Sequence, residues 1–203
     1  MTTRRAFLAG ALAIAAWPAA GEEEDVPWAR LRQGGLVLLM RHGSTGPGLG
    51  DPPNFKLGDC ATQRNLSDEG RAEAKRVGQR LREARVPIAH VYTSPWCRCR
   101  ETAELAFGQA ETWEPLSSFF DFPDREAAYT ETVRKRIASY VRHRPKGNVV
   151  MVTHNVNIAA LTKYSVGPAE LVAVKPDGCC SARPLHRFKL VSGTVALRAV
   201  ERR

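Results

Sequence analysis

Two continuous apolar runs mark the chain, and a polar residue follows each of them. The first run spans residues 35–40 and stops at Arg41, and the second spans residues 148–153 and stops at His154. Apolar runs without alternation are typical of central strands that are covered on both faces. Further strands are predicted over residues 90–93, 171–174, 186–191 and 194–200, the last two joined by a turn at Ser192 and Gly193.

Helical patterns lie between these strands. Ser67 is a predicted helix N-cap, Asp68 and Glu69 follow where the positive end of a helix favours acidic residues, and an apolar stripe runs on towards Pro87. Further helices are predicted over residues 94–108, 125–144 and 155–163.

Alternating strands and helices predict an α/β fold, a three-layer α/β/α sandwich with a largely parallel central sheet. Ligands of such sheets bind at the carboxyl ends of the strands, which here are Arg41-His42, Ser94 and His154. The connection over residues 43–66 is rich in Gly, Pro, Asp and Asn. It is long for a loop, so we expect a functional role for it, for example as a lid.

The first twenty residues form a separate segment. Arg4 and Arg5 directly precede an apolar run over residues 6–17, which is the pattern of a twin-arginine export signal. The run is shorter than the roughly 20 residues that a membrane-spanning helix needs. Small residues at 19–21 offer a cleavage site, although Pro18 spoils a clean Ala-x-Ala motif.

We therefore expect an export signal over residues 1–20 and one domain over residues 21–203. The predicted location is periplasmic or otherwise exported, with the twin-arginine export machinery as a partner and no stable membrane span in the mature form. A buried first helix and an uncleaved membrane anchor are the alternatives.

The chain is basic, which changes the expected partners. Its 203 residues are 43% hydrophobic, enough for one sizeable core, and its formal net charge is +9, or +7 once Arg4 and Arg5 are removed. A positive charge favours anionic partners. The arginines are dispersed and are not interleaved with aromatic residues, so nucleic acid is not expected. A phosphate-bearing small molecule or an anionic envelope lipid fits better.

Five cysteines leave at least one unpaired within the chain. Cys97 and Cys99 are two residues apart and would face different neighbours on a helix, so we expect at most one of them to bridge to Cys60. Adjacent Cys179 and Cys180 should not bond to each other, because the ring would be strained. Zinc is the competing interpretation, but the spacing is unlike that of zinc ligands.

Arg41, His42 and Gly43 combine the groups that phosphoryl chemistry needs. A guanidinium holds a phosphoryl group by two parallel hydrogen bonds, and a neutral imidazole can attack it. The glycine lets the backbone turn sharply close to a ligand. Ser44 and Thr45 are further candidate phosphate donors, with ordinary turn residues as the alternative.

Four motifs in order resemble the phosphoglycerate-mutase-like branch, branch 1, of the histidine phosphatase superfamily. They span residues 38–45, 65–70, 94–103 and 152–155, and the resemblance runs from about residue 35 to 158. It implies a phosphoglycerate-mutase-like fold in which His42 becomes phosphohistidine and Arg41, Arg98 and His154 bind the phosphoryl oxygens. It implies no cofactor and no metal. The activity expected is that of an exported phosphatase acting on a small-molecule or envelope-sugar phosphomonoester.

One departure from the resemblance concerns the general acid. Many members of the branch carry a glutamate about twenty residues beyond the second arginine, where this chain has Ser118. A serine is a poor general acid, so we assign the role to Asp121, with Asp124, a loop residue or no acid as alternatives. Without an acid, only good leaving groups, such as those of aryl phosphates or phosphoramidates, should react quickly.

Two rival functions stay open at this point. A non-catalytic phosphate-binding protein would keep the arginines, although binding alone does not require His42. A basic protein that binds anionic lipid or polymer through residues 125–144 would explain the charge but not the ordered motifs. Mutase chemistry is not expected of an exported chain.

Overall fold

The computed structural model describes residues 28–143, 145–177, 182–190 and 195–198. The predicted export signal, Cys179, Cys180 and the predicted turn at Ser192 and Gly193 lie outside the described residues. Within the part of the chain that is described, no helix is long and apolar enough to span a bilayer.

The described residues form α-helices and strands that alternate through most of the chain. The elements, in chain order, are α1 (Trp28–Arg32), β1 (Val37–Arg41), α2 (Asp68–Glu83), β2 (Ile88–Thr93), α3 (Cys97–Phe107), β3 (Glu111–Thr112), α4 (Glu126–His143), β4 (Asn148–Thr153), α5 (Asn155–Thr162), β5 (Glu170–Pro176), β6 (Ala182–Leu190) and β7 (Val195–Arg198). Single turns of 3-10 helix lie at Cys60–Thr62, Glu114–Leu116 and Pro123–Arg125.

All the strands join one sheet in the order β3-β2-β4-β1-β5-β6-β7. The strands β3, β2, β4 and β1 run parallel, and β5, β6 and β7 continue the sheet in antiparallel pairings. The two continuous apolar runs became β1 and β4, which lie side by side at the centre. The prediction of a largely parallel α/β sheet is confirmed.

Side chains of the central strands alternate between two cores, which explains why both runs are apolar throughout. Leu38 and Met40 of β1 pack in one core with residues of α1, α2 and α3. Val37 and Leu39 pack in the other core with residues of α4 and α5. Helices therefore cover both faces of the sheet, giving the three-layer sandwich that the sequence predicts.

Helix α2 begins as its sequence predicts and lies very close to α3. The Ser67 hydroxyl accepts a hydrogen bond from the Gly70 N–H at 3.1 Å, which caps the helix. A Cβ at Gly78 would stand 2.0 Å from the carbonyl oxygen of Ala106 on α3, so only glycine allows this approach.

Some elements differ from the prediction for local reasons. Helix α3 begins at Cys97 instead of Ser94, because a residue that precedes proline is disfavoured in the helical conformation and Trp96 is also extended. Helix α1 and strand β3 were not predicted, since five and two residues are too short to show a periodic pattern.

Candidate active site

The carboxyl ends of three parallel strands meet at one edge of the sheet and bring the predicted site residues together. The His42 N–H donates to the Thr153 carbonyl at 3.1 Å, and the Ser94 N–H donates to the Val152 carbonyl at 2.9 Å. The residues that directly follow β1, β2 and β4 are thereby held side by side. This is the edge at which an open parallel sheet binds ligands.

A cavity of about 190 Å³ opens at this edge. Five predicted residues line it: Arg41, His42, Arg98, His154 and Asp121. The remaining lining residues are Leu49, Gly50, Asp51, Arg64, Ser118, Phe120, Asn155 and Val156. A larger cavity of about 670 Å³ lies beside β2 and α3, but none of the predicted site residues lines it.

His42 is buried and held in one tautomer. Its Nδ1 lies 2.8 Å from the carbonyl oxygen of Gly43, which can only accept a hydrogen bond. Nδ1 of the neutral ring therefore carries the proton, and Nε2 keeps its lone pair. Burial and the positive charge of Arg98 lower the pKa of His42 to about 3. The ring is thus neutral at physiological pH, as a nucleophile must be.

His154 lies beside His42 in the same buried region, with 5.4 Å between the ring centroids. Its Nε2 is 2.9 Å from the Ser94 hydroxyl, which fixes the ring orientation. Burial, followed by the charge of Arg98, lowers the pKa of His154 well below 6.5. A neutral His154 retains one N–H with which to donate a hydrogen bond.

Arg98 is held by a carboxylate from the long connection. Its Nη1 donates to both oxygens of Asp51, at 2.8 and 3.0 Å, and the exposed fractions of the two side chains are only 4% and 1%. Trp96 Nε1 and the backbone N–H of Arg64 also donate to Asp51, at 3.0 and 2.9 Å. Burial opposes ionisation of Asp51, but these hydrogen bonds and the Arg98 charge keep its pKa below its usual value.

Three guanidinium groups converge on the cavity. Burial and the charges of Arg64 and Arg98 lower the pKa of Arg41, whose Nη1 donates to the Val166 carbonyl at 2.7 Å. The Nε atoms of Arg41, Arg64 and Arg98 are buried without a hydrogen-bond partner among the described residues. Such groups favour an anionic ligand, since an unpaired buried donor is costly.

Asp51 and Arg64 were not predicted as site residues. Both belong to the strap, which we define as residues 43–66, the segment with a predicted role such as that of a lid. A disulfide between Cys60 and Cys97, with Cα atoms 5.7 Å apart, joins the strap to the start of α3. Gln63 Oε1 also accepts a hydrogen bond from the Cys97 N–H at 3.0 Å. The strap therefore packs directly against the residue that precedes Arg98.

The sequence left Cys97 and Cys99 as alternative partners of Cys60, and the disulfide forms with Cys97. Cys99 is the free cysteine of the described residues, and burial raises the pKa of its thiol to about 12. Its Sγ lies 3.5 Å from His154 Nε2. A thiol with so high a pKa is unreactive, so Cys99 serves packing. The described residues also include no group of His, Cys, Asp and Glu placed to hold a metal ion.

Two motif glycines interlock beneath the site. A Cβ at Gly43 would lie 2.4 Å from the Gly70 carbonyl oxygen, and one at Gly70 would lie 2.0 Å from the Ser44 carbonyl oxygen. The Gly43 N–H donates to Thr102 Oγ1 at 3.1 Å, and that hydroxyl donates to the Arg98 carbonyl at 2.6 Å. Thr102 thus links the Arg41-His42-Gly43 turn to the helix that carries Arg98.

Ser44 and Thr45 are not brought to the cavity. The Ser44 N–H donates to the carboxylate of Glu73 at 2.7 Å, and Thr45 forms an isolated antiparallel bridge with Leu66. The Ser44 backbone thus holds the start of the strap onto α2, and the Thr45 bridge joins the two ends of the strap. The chain leaves the cavity after His42, and the role of Ser44 and Thr45 as phosphate donors stays a prediction.

Asp121 lies at the mouth of the cavity. It is exposed, whereas Ser118 is buried and its hydroxyl accepts a hydrogen bond from the Phe120 N–H at 3.2 Å. Asp51 is the other carboxylate of the lining, and it is committed to Arg98. Asp124, the other candidate acid, lies in the turn Pro123–Arg125 and does not line the cavity.

Breaking the Arg98–Asp51 pair should destabilise the protein. Arg98→Met leaves a buried carboxylate without its partner, and we expect a loss of about 3–5 kcal/mol in the free energy of unfolding. The double variant Arg98→Met/Asp51→Asn should recover most of this loss. Urea denaturation measures both effects.

The half-exposed pair Arg71–Glu101 provides the matched control. Arg71→Met should change the free energy of unfolding far less than Arg98→Met does, because solvent screens the Arg71–Glu101 pair. Equal losses for Arg98→Met and the double variant would contradict the argument from an uncompensated charge.

Comparison with known proteins agrees with this geometry. Residues 37–119 match the family model of the histidine phosphatase superfamily, branch 1. The chain is 33% identical over 75 residues to the serine/threonine-protein phosphatase Pgam5, mitochondrial, of Drosophila virilis. This match covers 37% of the chain and spans only 23% of the length of that relative.

Solved structures share the fold at low sequence identity. The protein histidine phosphatase SixA complexed with tungstate superimposes with a TM-score of 0.56 at 17% identity, over 76% of this chain and 96% of SixA. TTHB049 from Thermus thermophilus superimposes with a TM-score of 0.50 at 21% identity, over 77% of this chain and 99% of that protein. The chain thus shares the fold of these structures, and residues 37–119, which hold three of the four motifs, are similar to branch 1 of the histidine phosphatase superfamily.

Proposed function

We propose that this protein is a phosphatase that hydrolyses a phosphomonoester through a phosphohistidine intermediate on His42. One observation carries the proposal: a buried, neutral imidazole with a free Nε2 lies in the same small cavity as three guanidinium groups. The imidazole supplies a nucleophile, and the guanidinium groups supply the charge that stabilises a transferring phosphoryl group.

Binding of the phosphoryl group would use the donors that the protein leaves unpaired. Asp51 takes Nη1 of Arg98, and Nε has no partner among the described residues, so we assign the edge formed by Nε and Nη2 to the ligand. This edge donates two parallel hydrogen bonds, which match the geometry of two phosphoryl oxygens. Arg41 and the N–H of His154 would complete the set.

The reaction would then proceed in two displacements. Nε2 of His42 attacks phosphorus, a nitrogen–phosphorus bond forms, and the bond to the ester oxygen breaks with its electron pair on the leaving oxygen. Asp121, at the mouth of the cavity, is our candidate to protonate that oxygen. Water then attacks the phosphohistidine, releasing inorganic phosphate and restoring neutral His42.

Export is a separate part of the proposal, and it rests on the Arg4-Arg5 pair before an apolar run. Cell fractionation of bacteria that express the full chain tests it. The protein should appear outside the cytoplasm, and Arg4→Lys/Arg5→Lys should retain it inside. Equal fractionation of the two forms would contradict export by this route.

Trapping the intermediate tests the proposed chemistry. The protein is mixed with para-nitrophenyl phosphate in the presence of a metal chelator, quenched with alkali and mapped by mass spectrometry. We expect chelator-insensitive turnover and a phosphoryl group on His42 that is stable in alkali and lost in acid, as expected of a phosphoramidate.

The exposed Arg100 supplies a control, because it lies two residues from Arg98 on the same helix and does not line the cavity. Arg100→Ala should give the same turnover and the same phosphopeptide as the unmodified chain. Tight binding of inorganic phosphate without turnover would instead favour the phosphate-binding protein as the function.

A further inference from the structure

The mouth of the cavity differs chemically from its floor. Arg41, Arg98 and the two histidines lie at the floor, whereas Leu49, Phe120 and Val156 contribute apolar side chains to the lining. Leu49 is 92% exposed and Phe120 is 56% exposed. Large apolar side chains that are exposed together beside a candidate site indicate contact with an apolar part of a ligand.

Residues 49–51 of the strap contribute to both the apolar mouth and the charged floor of the cavity. Gly50 adopts a positive φ of 71°, a conformation that glycine reaches without strain. Asp51 on one side of it enters the floor and pairs with Arg98, while Leu49 on the other side stands at the mouth. A Cβ added at Gly50 would lie 3.9 Å from the Phe120 ring, so the strap and the Phe120 segment approach each other here.

The size of the cavity leaves most of a substrate at this mouth. About 190 Å³ is below the roughly 300–1,000 Å³ of pockets that enclose a whole ligand. The floor accommodates the phosphoryl group, and the group attached to the ester oxygen must then lie against Leu49 and Phe120. An aryl ring would remove the surface of these apolar side chains from water, whereas the hydroxyl groups of a sugar gain little from contact with them.

We infer that the site is specific for aryl phosphomonoesters, whose ring packs against Leu49 and Phe120; this inference rests on the proposed function. A second observation supports it independently. Ser118 is a poor acid, and the carboxylate of Asp121 is exposed at the rim. A phenolic oxygen, with a pKa of about 10, can leave without a proton donor far more readily than an alkyl alkoxide.

With an aryl ester, the reaction does not depend on proton donation by Asp121. The bond between His42 Nε2 and phosphorus forms, and the bond between phosphorus and the aryl oxygen breaks, so that the electron pair leaves on a phenolate. Solvent protonates the phenolate after it departs. An envelope sugar phosphate, the substrate first expected from the sequence, would depend on proton donation by Asp121, because position 118 holds a serine.

Binding of two phosphonates that cannot be hydrolysed tests the apolar mouth apart from turnover. Phenylphosphonate and methylphosphonate carry similar dianionic heads, and calorimetry gives the ratio of their dissociation constants. We expect phenylphosphonate to bind roughly tenfold to a hundredfold more tightly. The double variant Leu49→Ser/Phe120→Ser should remove most of this preference and leave methylphosphonate binding unchanged.

Leu57→Ser is the matched control, because Leu57 is another exposed apolar residue of the strap and does not line the cavity. It should keep the full preference for phenylphosphonate. No preference in the unmodified protein, or a preference that survives in the double variant, would overturn the inference even if His42-dependent turnover is found. A preference without any turnover would instead retain the aryl specificity and reject the proposed phosphatase.

The corresponding kinetic test compares phenyl phosphate with glycerol 2-phosphate. The value of kcat/KM should favour phenyl phosphate by at least about a hundredfold, since the leaving group and the ring contact both contribute. In the double variant this ratio should fall because the KM of phenyl phosphate rises. Equal values of kcat/KM for the two esters in the unmodified protein would also overturn the inference.

Discussion

Replacing His42 with asparagine is expected to lower kcat for para-nitrophenyl phosphate at least about a thousandfold. Asparagine keeps a donor close to the position of Nδ1, so the hydrogen bond to the Gly43 carbonyl can be retained. It has no atom that can attack phosphorus from the position of Nε2. The floor of the cavity, including Arg41, Arg98 and His154, stays in place.

Binding of inorganic phosphate distinguishes loss of the nucleophile from loss of the site. Its dissociation constant, measured by calorimetry, should change by less than about tenfold in His42→Asn, because the guanidinium donors supply most of the attraction. His90→Asn is the control, since His90 is exposed and lies 2.9 Å from Glu111, outside the cavity. Turnover by His42→Asn close to that of the unmodified chain would place the nucleophile elsewhere.

The positions of Arg41, His42 and His154 could be predicted because the ends of buried strands can be recognised in the sequence. Arg41-His42 and His154 each follow a continuous apolar run, and β1 and β4 pair in parallel, so their ends coincide. Arg98 could be placed from its motif near the start of a helix. These predictions depend on short-range patterns, and the sheet brings the patterns together.

Asp51 and Arg64 could not be predicted in this way. Their positions depend on how the strap folds. That is decided by a glycine at a positive φ, a disulfide to Cys97 and a hydrogen bond from the Cys97 N–H to Gln63. None of these contacts produces a periodic pattern of residues that can be recognised in the sequence. The length of the connection indicated a functional segment, but it could not say that one carboxylate would hold Arg98.

The strap also explains how a strongly cationic cavity remains compatible with folding. Three arginines near one another repel, and each guanidinium is costly to bury. Asp51 offsets part of this cost by pairing with Arg98. The carboxylate uses only Nη1, which would leave Nε and Nη2 of Arg98 for the phosphoryl group of the proposed substrate.

The two buried histidines should make the folded protein sensitive to mild acid. In the unfolded chain each imidazole has a pKa of about 6.5, whereas in the fold His42 has a pKa of about 3 and that of His154 is well below 6.5. Below pH 6.5 the unfolded state therefore binds protons at these two histidines, whereas the folded state does not. The stability that these groups contribute is complete above pH 6.5 and is lost as the pH falls below it.

The expected loss of stability follows from proton uptake by the unfolded state. A histidine that stays neutral in the fold costs about 1.4 kcal/mol in the free energy of unfolding for each pH unit below 6.5. His42 alone should lower the free energy of unfolding by about 2 kcal/mol between pH 7 and pH 5, and His154 should lower it further in the same direction. Urea denaturation at the two values measures it, in buffers without phosphate, because an anion bound to the native state would add stability. Asp51 does not contribute in this range, since its pKa is already low in the unfolded chain and lower still in the fold.

Amide substitutions separate this effect from general acid denaturation. Asparagine at 42 mimics a donor at Nδ1, and glutamine at 154 can reach the Ser94 hydroxyl that contacts Nε2. The double variant His42→Asn/His154→Gln should lose nearly all of the difference between pH 7 and pH 5, and each single variant should lose part of it. A neutral His42 is also the condition for the proposed nucleophilic attack, so the property that makes the fold acid-sensitive would also prepare the site for the proposed reaction. A pH dependence that is unchanged in the double variant would show that the two rings are not held neutral by burial.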